Sequence, residues 1–134
     1  MDIGWSDLLS GLVGCATLRS AESYRAQLES AWSDADDVIA TLSVRSAWDM
    51  LLKTWDFPPG SEVLISALTI PDMVRIIEAH GLVPVPLDVN LRTMVPDATA
   101  LQRAVTPRTK AVLVAHLFGS RASLDDLIEA AHAH

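Results

Sequence analysis

From Asp36 onward, short apolar runs alternate with stretches in which apolar residues recur every three or four positions. Val38-Ile39-Ala40-Thr41-Leu42 reads as a buried strand. Trp48, Leu51, Leu52 and Trp55 follow at i, i+3, i+4 and i+7, which is one face of a helix. Asp49 and Lys53 lie four apart on the opposite face, where they can pair. Pro58-Pro59-Gly60 ends this helix, and Val63-Leu64-Ile65 is the next strand. Pro71 suits a first helical turn. Met73, Ile76, Ile77 and His80 continue as an apolar face, and Gly81 suits the helix end. Val83 to Leu87 is strand-like. Asp97 is placed to cap a short helix carrying Leu101 and Val105, which Thr106-Pro107 breaks. Ala111 to Ala115 is a fourth strand. Ser123 with Asp126 resembles a capping box, opening a helix with Leu124, Leu127, Ile128 and Ala131 on one face.

Strands alternating with helices predict an α/β chain with a mostly parallel sheet and flanking helices. Continuous apolar strands fit a sheet covered on both faces. One strand has a readable position. In VPVPL, Pro84 and Pro86 are two apart, so their missing N–H groups face the same side, and the strand belongs at a sheet edge. Residues 1–35 differ from the rest. Leu8, Leu9 and Leu12, then Tyr24, Leu28 and Trp32, suggest two helices forming an arm ahead of the α/β region at 36–134.

Composition narrows the function. The chain has 134 residues, half of them hydrophobic, which suits one domain or part of one and excludes a disordered acidic tail. Ten Lys+Arg against 17 Asp+Glu give a formal net charge of −7, a poor balance for nucleic-acid binding. No stretch approaches the ~20 apolar residues of a membrane span. The opening MDIGWSDLLSGLVGC begins acidic and lacks a basic n-region, so no signal peptide is expected and a cytoplasmic location is. The single Cys15 cannot form an intramolecular disulfide and reads as a small buried hydrophobe.

In parallel α/β sheets, ligands bind at the carboxyl ends of the strands. The corresponding loops here are Ser43 to Ser46, Ser66 to Asp72, Asp88 to Thr93 and His116 to Arg121. The first runs from a strand straight into a helix, whose free amides and dipole favour a phosphate. Ser43 and Ser46 add hydroxyls and Arg45 a cation. Two readings stand: a phosphate cradle, or an ordinary helix cap with an exposed arginine. His116 either lines the cleft or is hydrogen-bonded in a turn. Asp88 either binds a ligand hydroxyl or caps the following turn. Asp125 and Asp126 read as helix N-terminal charges. His132 and His134, two apart on a helix, do not face one another, so no metal pair is expected. No Ser-His-Asp order, CxxC pair, HExxH or P-loop is present.

Taken together, these segments resemble the DegT/DnrJ/EryC1/StrS family of pyridoxal-phosphate-dependent sugar aminotransferases. The most specific stretch is Thr106 to Asp126, TPRTKAVLVAHLFGSRASLDD. It is similar to that family's TPRTKA, a hydrophobic strand, H-L-[YF]-G and a helix start containing Asp. Pro59-Gly60-Ser61-Glu62-Val63 is similar to its P-G-D-E-V, and Val83 to Asp88 to its short strand ending in Asp. The similarity covers about Glu22 to His134.

The resemblance implies the N-terminal half of a fold-type-I PLP-dependent transferase large domain. It places VPVPL at one sheet edge beside the Val63 strand, which neighbours the Ala111 strand, with Val38 to Leu42 at the far edge. The family's S-G-T-x-A phosphate loop falls on Ser43, Val44, Arg45, Ser46 and Ala47, with Val44 replacing the glycine and Arg45 the threonine. Its T-[FWY] pair, which stacks on the cofactor ring, falls on Thr69 and Ile70. The implied cofactor-binding residues are therefore Ser43, Val44, Arg45, Ser46, Thr69 and Ile70. The implied cofactor is pyridoxal 5'-phosphate, bound weakly or not at all by this chain. The family's Schiff-base lysine and ring-pairing aspartate come later in its chains. The lysines here are Lys53 and Lys110, neither of them at a strand's carboxyl end, so no residue is assigned as catalytic. The chain reads as the N-terminal part of a longer enzyme, inactive alone. The parent would move an amino group from an amino acid to a keto-sugar nucleotide, acting as a homodimer with no nucleic-acid or membrane partner. The alternative is a non-catalytic α/β phosphate-binding or interaction module.

Overall fold

The computed structural model describes residues 4–16, 20–33, 35, 37–117 and 122–134. The chain divides into two compact units, Met1–Leu42 and Ser43–His134. No helix among the described residues is long and apolar enough to cross a membrane.

The first unit contains α1 (Trp5–Ala16) and α2 (Ala21–Trp32), the two helices the leucine spacing predicts. Ser20 caps α2, its hydroxyl accepting from the Ser23 N–H. Arg25 pairs with Glu22 and Glu29 on adjacent turns. The apolar positions Leu8, Leu9, Leu12, Leu28 and Trp32 stay exposed. Cys15 is exposed as well, contrary to the buried reading, because it sits on a helix none of whose residues is buried. The expected strand at Val38 to Leu42 is not formed. An apolar run becomes a strand only where a partner edge takes up its backbone bonds. Here the Ala40 N–H instead donates to the Glu29 carboxylate at 2.8 Å, and Ile39 and Leu42 are exposed.

The second unit runs α3 (Val44–Trp55), β1 (Glu62–Ser66), α4 (Pro71–Ala79), β2 (Val83–Leu87), α5 (Ala98–Ala104), β3 (Thr109–Leu113) and α6 (Asp125–His132). The strands form one parallel sheet in the order β2-β1-β3, with Val63 opposite Pro84 and Ala111. Side chains along β1 alternate between two cores. Val63 and Ile65 pack with Trp48 and Leu52 of α3 and Met73 and Ile77 of α4. Leu64 packs with Leu87, Leu101 of α5, and Leu127 and Ala130 of α6. This period of two puts helices on both faces and buries the central strand completely.

The proline strand is an edge, as its sequence predicts. The Val83 N–H bonds to the Ser61 carbonyl, and the Leu87 carbonyl accepts from Ala67. Alternation then turns the nitrogens of Pro84 and Pro86 away from β1, where no donor is needed.

Helix ends follow local chemistry. Ile70 is the N-cap of α4, with Pro71 in its first turn. Gly81 takes a φ of +71°, and the Leu82 N–H returns to the Ile77 carbonyl, a Schellman closure that a residue with a Cβ adopts only under strain. Asp97 caps α5 through the Ala100 N–H at 2.8 Å. The start of α6 differs from the expected capping box. Its N-cap is Leu124, and the Ser123 hydroxyl instead bonds the carboxylate and N–H of Asp125.

Three local features also differ from expectation. Asp49 bonds Nε2 of His80 at 2.9 Å rather than Lys53, because α4 ends beside α3 and offers a shorter reach. On α3, Trp48 and Leu52 are buried, whereas Leu51 and Trp55 on the same predicted face are 41% and 44% exposed. The turn after β2 is held by Asn90, whose side chain accepts from the Arg92 N–H and whose carbonyl accepts from Thr93 and Met94, and not by Asp88.

Candidate anion and cofactor site

Two helix N-termini meet at the carboxyl end of β1. The chain leaves β1 at Ser66, passes Thr69 and Ile70, and enters α4 at Pro71. Ahead of β1, Ser43 stands as the N-cap of α3. Its hydroxyl accepts from the Ser46 N–H at 3.2 Å and lies 3.1 Å from the Ser46 hydroxyl. The first-turn amides of Val44 and Arg45 have no carbonyl partner within the helix. The Ser43 loop is a conventional cap, and its first turn presents amides at a positive helix end.

Arg45 reaches from the first turn of α3 to the first turn of α4, where Nη1 is 3.2 Å from Oδ2 of Asp72. Arg75 holds the other oxygen of Asp72 at 3.4 Å. The structure thus ties the first turn of α3 to the first turn of α4 through Asp72, a residue that sequence reasoning missed. The signal for Asp72 was its position, an acid in a first turn. Thr69 is half-buried. Ile70 is exposed and able to cover a ring by apolar contact, without a π face. Ser66 ends β1 with a buried hydroxyl that finds no partner among the described residues.

The donor set fits a phosphate: amides, hydroxyls and a guanidinium at one helix end. Beyond apolar cover from Ile70, it places no lysine where a Schiff base would form. Lys53 is exposed on α3, and Lys110 is exposed at the beginning of β3, away from this end of the sheet. Among the other sequence candidates, His116 is exposed and carries no hydrogen bond to a described residue. Asp88 lines a separate polar pocket with Asn90, Asp97 and Arg103. His132 and His134 lie along the β3 edge, and residues 118–121, including Arg121 of the fourth loop, fall outside the described residues.

A second polar assembly, at the opposite end of the strands, was also missed. Glu62 is 4% exposed. Its carboxylate accepts from the Thr106 hydroxyl and from Nε and Nη2 of Arg108. The Glu62 N–H donates to the Arg108 carbonyl, so side chain and backbone together join the start of β1 to the turn before β3. Its sequence signal was the pair PGSEV and TPRTK, whose glutamate, threonine and arginine meet here.

Residues 19–134 match the model of the DegT/DnrJ/EryC1/StrS aminotransferase family. The chain is 31% identical over 116 residues to L-glutamine:2-deoxy-scyllo-inosose aminotransferase of Micromonospora echinospora, covering 84% of this chain and 28% of that enzyme. It is 31% identical over 120 residues to GDP-perosamine synthase of Caulobacter vibrioides, covering 87% of this chain and 32% of the synthase. Among solved structures it is similar to NtdA of Bacillus subtilis with bound cofactor PMP, at 28% identity and a TM-score of 0.62, over 66% of this chain and 20% of that one. The chain thus spans about a third or less of the proteins it matches. Parallel topology, motif positions and family match agree: the chain belongs to the DegT/DnrJ/EryC1/StrS aminotransferase family.

Proposed function

We propose that this chain is the N-terminal portion of a PLP-dependent aminotransferase, with residues 36–134 as part of its cofactor-binding domain, and that its site receives the cofactor phosphate. The observation that carries the reading is the first turn of α3, where Ser43 caps the helix beside Ser46 and Arg45 reaches Asp72 in the first turn of α4. In the parent, the reaction moves an amino group from an amino acid to a keto-sugar nucleotide, in a cytoplasmic homodimer. Of the matched relatives, the L-glutamine:2-deoxy-scyllo-inosose aminotransferase supports the amino-acid donor by its name and the GDP-perosamine synthase the sugar nucleotide.

Bound PLP supplies the electron sink for such a transfer. This chain's own residues have narrower tasks. The α3 amides and the Ser43 and Ser46 hydroxyls hold the phosphate oxygens. Arg45 neutralises their charge after exchanging Asp72 for the anion. Ile70 excludes water from one side of the ring. Val44, standing where the family has glycine, sets the closest approach of the phosphate to the backbone.

A second reading, a non-catalytic phosphate-binding or interaction module, draws on the pairing of Arg45 with Asp72 and on the placement of Lys53 and Lys110. Titration of PLP and, separately, inorganic phosphate into the chain and into Arg45→Ala tests both. A charge-assisted bond contributes about 1.5–3 kcal/mol, so loss of Arg45 weakens PLP binding by about tenfold or more. Equal affinity in both proteins removes Arg45 from the site. Equal affinity for PLP and phosphate favours the module.

A further inference from the structure

Val44 and Arg45 open α3, and their side chains have opposite consequences for an anion. Val44 is the first residue of the helix and is 75% exposed. Among the described non-glycine residues, positive φ occurs at Asp56 and Met94 and not at Val44. The position therefore makes no conformational demand that only glycine meets, and valine brings no backbone strain there. Its effect falls on the space in front of the helix. Cα–Cβ bonds tilt toward a helix N-terminus, so a first-turn side chain leans over the end at which the first amides lack intrahelical acceptors. Branching at Cβ holds the two methyl groups in one preferred rotamer. Being exposed, Val44 is not drawn aside into the core. Arg45 is the next residue, and its guanidinium reaches Asp72 with Nη1 3.2 Å from Oδ2. Arg75 holds the other oxygen of that carboxylate at 3.4 Å, so Asp72 keeps a cationic partner when Arg45 turns away. The side chains of Arg45 and Asp72 are 53% and 46% exposed, which makes the bond between them a weak one in water.

We propose that Val44 and Arg45 act on a bound phosphate as a coupled pair. Val44 keeps the anion at the outer limit of the α3 amides' reach, and the Arg45 guanidinium, exchanging Asp72 for the anion, supplies the binding that those longer contacts forgo. This inference rests on the reading of α3 as the seat of the cofactor phosphate. It makes the affinity of that seat depend on one side chain more than on the backbone. A guanidinium on a long side chain follows an anion outward, whereas amides fixed in a helix do not, and its charged hydrogen bonds are the stronger kind. Glycine at position 44 reopens the approach to the backbone and makes Arg45 less necessary. Loss of Arg45 with Val44 in place leaves the anion without a close partner on α3.

NMR titration of inorganic phosphate, which carries only the group in question, tests the coupling in the 134-residue chain, Val44→Gly, Arg45→Thr and the double variant. With Val44 in place, Arg45→Thr weakens binding about tenfold or more, and in the Val44→Gly background the same change weakens it about threefold or less. Val44→Gly alone binds phosphate more tightly than the unaltered chain, and its Arg45 amide signal moves further on saturation. Val44→Ala removes the same methyl groups while favouring the helix, and its affinity lies between those of valine and glycine, which separates approach from fraying of the helix end. An equal effect of Arg45→Thr in both backgrounds overturns the proposal and leaves the phosphate seat standing. Weaker binding by both Val44→Gly and Val44→Ala does the same. No saturable shift from Ser43 to Ser46 in any of these proteins overturns the proposal together with the reading on which it rests.

Discussion

Arg108 grips a single oxygen of Glu62 from the turn before β3, with Nε at 3.0 Å and Nη2 at 2.5 Å from Oε1, while the Thr106 hydroxyl holds Oε2. The Thr106 bond first, and Arg108 next, keep the Glu62 carboxyl below its ordinary pKa, against the opposing effect of burial. A carboxyl lowered in the folded state adds stability above its unfolded pKa of about 4.3, and that stability is lost as pH falls through the lower folded value. Urea midpoints of the chain should therefore drop between neutral pH and pH 3 by more than those of Glu62→Gln. The two proteins should differ most at neutral pH and converge in acid. Parallel pH curves for both would sink this account.

Leu51 and Leu52 are neighbours of one type on one helix, yet Leu52 is 2% exposed and Leu51 is 41% exposed. Leu52→Ala should cost about 2–5 kcal/mol through lost burial and the cavity left behind. Leu51→Ala should stay within about 1 kcal/mol. Denaturant unfolding of both at low protein concentration makes the comparison, and equal costs would mean that the second unit packs differently around α3.

Asp72 competes with any anion for Arg45. The pair is exposed, and such pairs contribute roughly 0.2–1 kcal/mol. Asp72→Asn should therefore tighten phosphate or PLP binding by up to about fivefold. Unchanged or weaker binding in that variant would show that Arg45 does not serve the anion.

Without a strand partner, Val38 and Ile39 should exchange their amide hydrogens far faster than Val63 to Ile65 at the centre of the sheet. The Ala40 amide, tied to the Glu29 carboxylate, should lie between them and speed up in Glu29→Ala. Protection at Val38 and Ile39 equal to that of β1, in a monomer, would contradict this account.

The chain incubated with PLP, glutamate and a keto-sugar nucleotide should show no turnover, because Lys53 and Lys110 are both remote from the carboxyl end of β1. Borohydride trapping of a cofactor adduct on either lysine, together with turnover, would reverse that expectation.

What the sequence by itself determined is local or periodic. The proline pair named its own edge because a missing N–H is a property of the residue. Asp97, Pro71 and Gly81 marked helix ends because capping needs only neighbouring backbone. The apolar runs marked β1 and β2, and marked β3 two residues late at Ala111 to Ala115 rather than Thr109 to Leu113, and the motifs around Thr106 and Gly60 marked the family. What tertiary structure alone decided is which groups meet across distance. Val38 to Leu42 reads as apolar as β1 but forms no strand, because a strand's backbone bonds belong to a partner that the local sequence does not describe. Leu51 and Leu52 obey one helical period, and only the placement of α4 and β1 against α3 buries one and leaves the other. Arg45 announced a cation at a helix start, but its pairing with Asp72, 27 residues away, came from two helices whose first turns converge at one end of a sheet. Periodicity reports the face a residue is on, and only packing supplies what stands opposite that face.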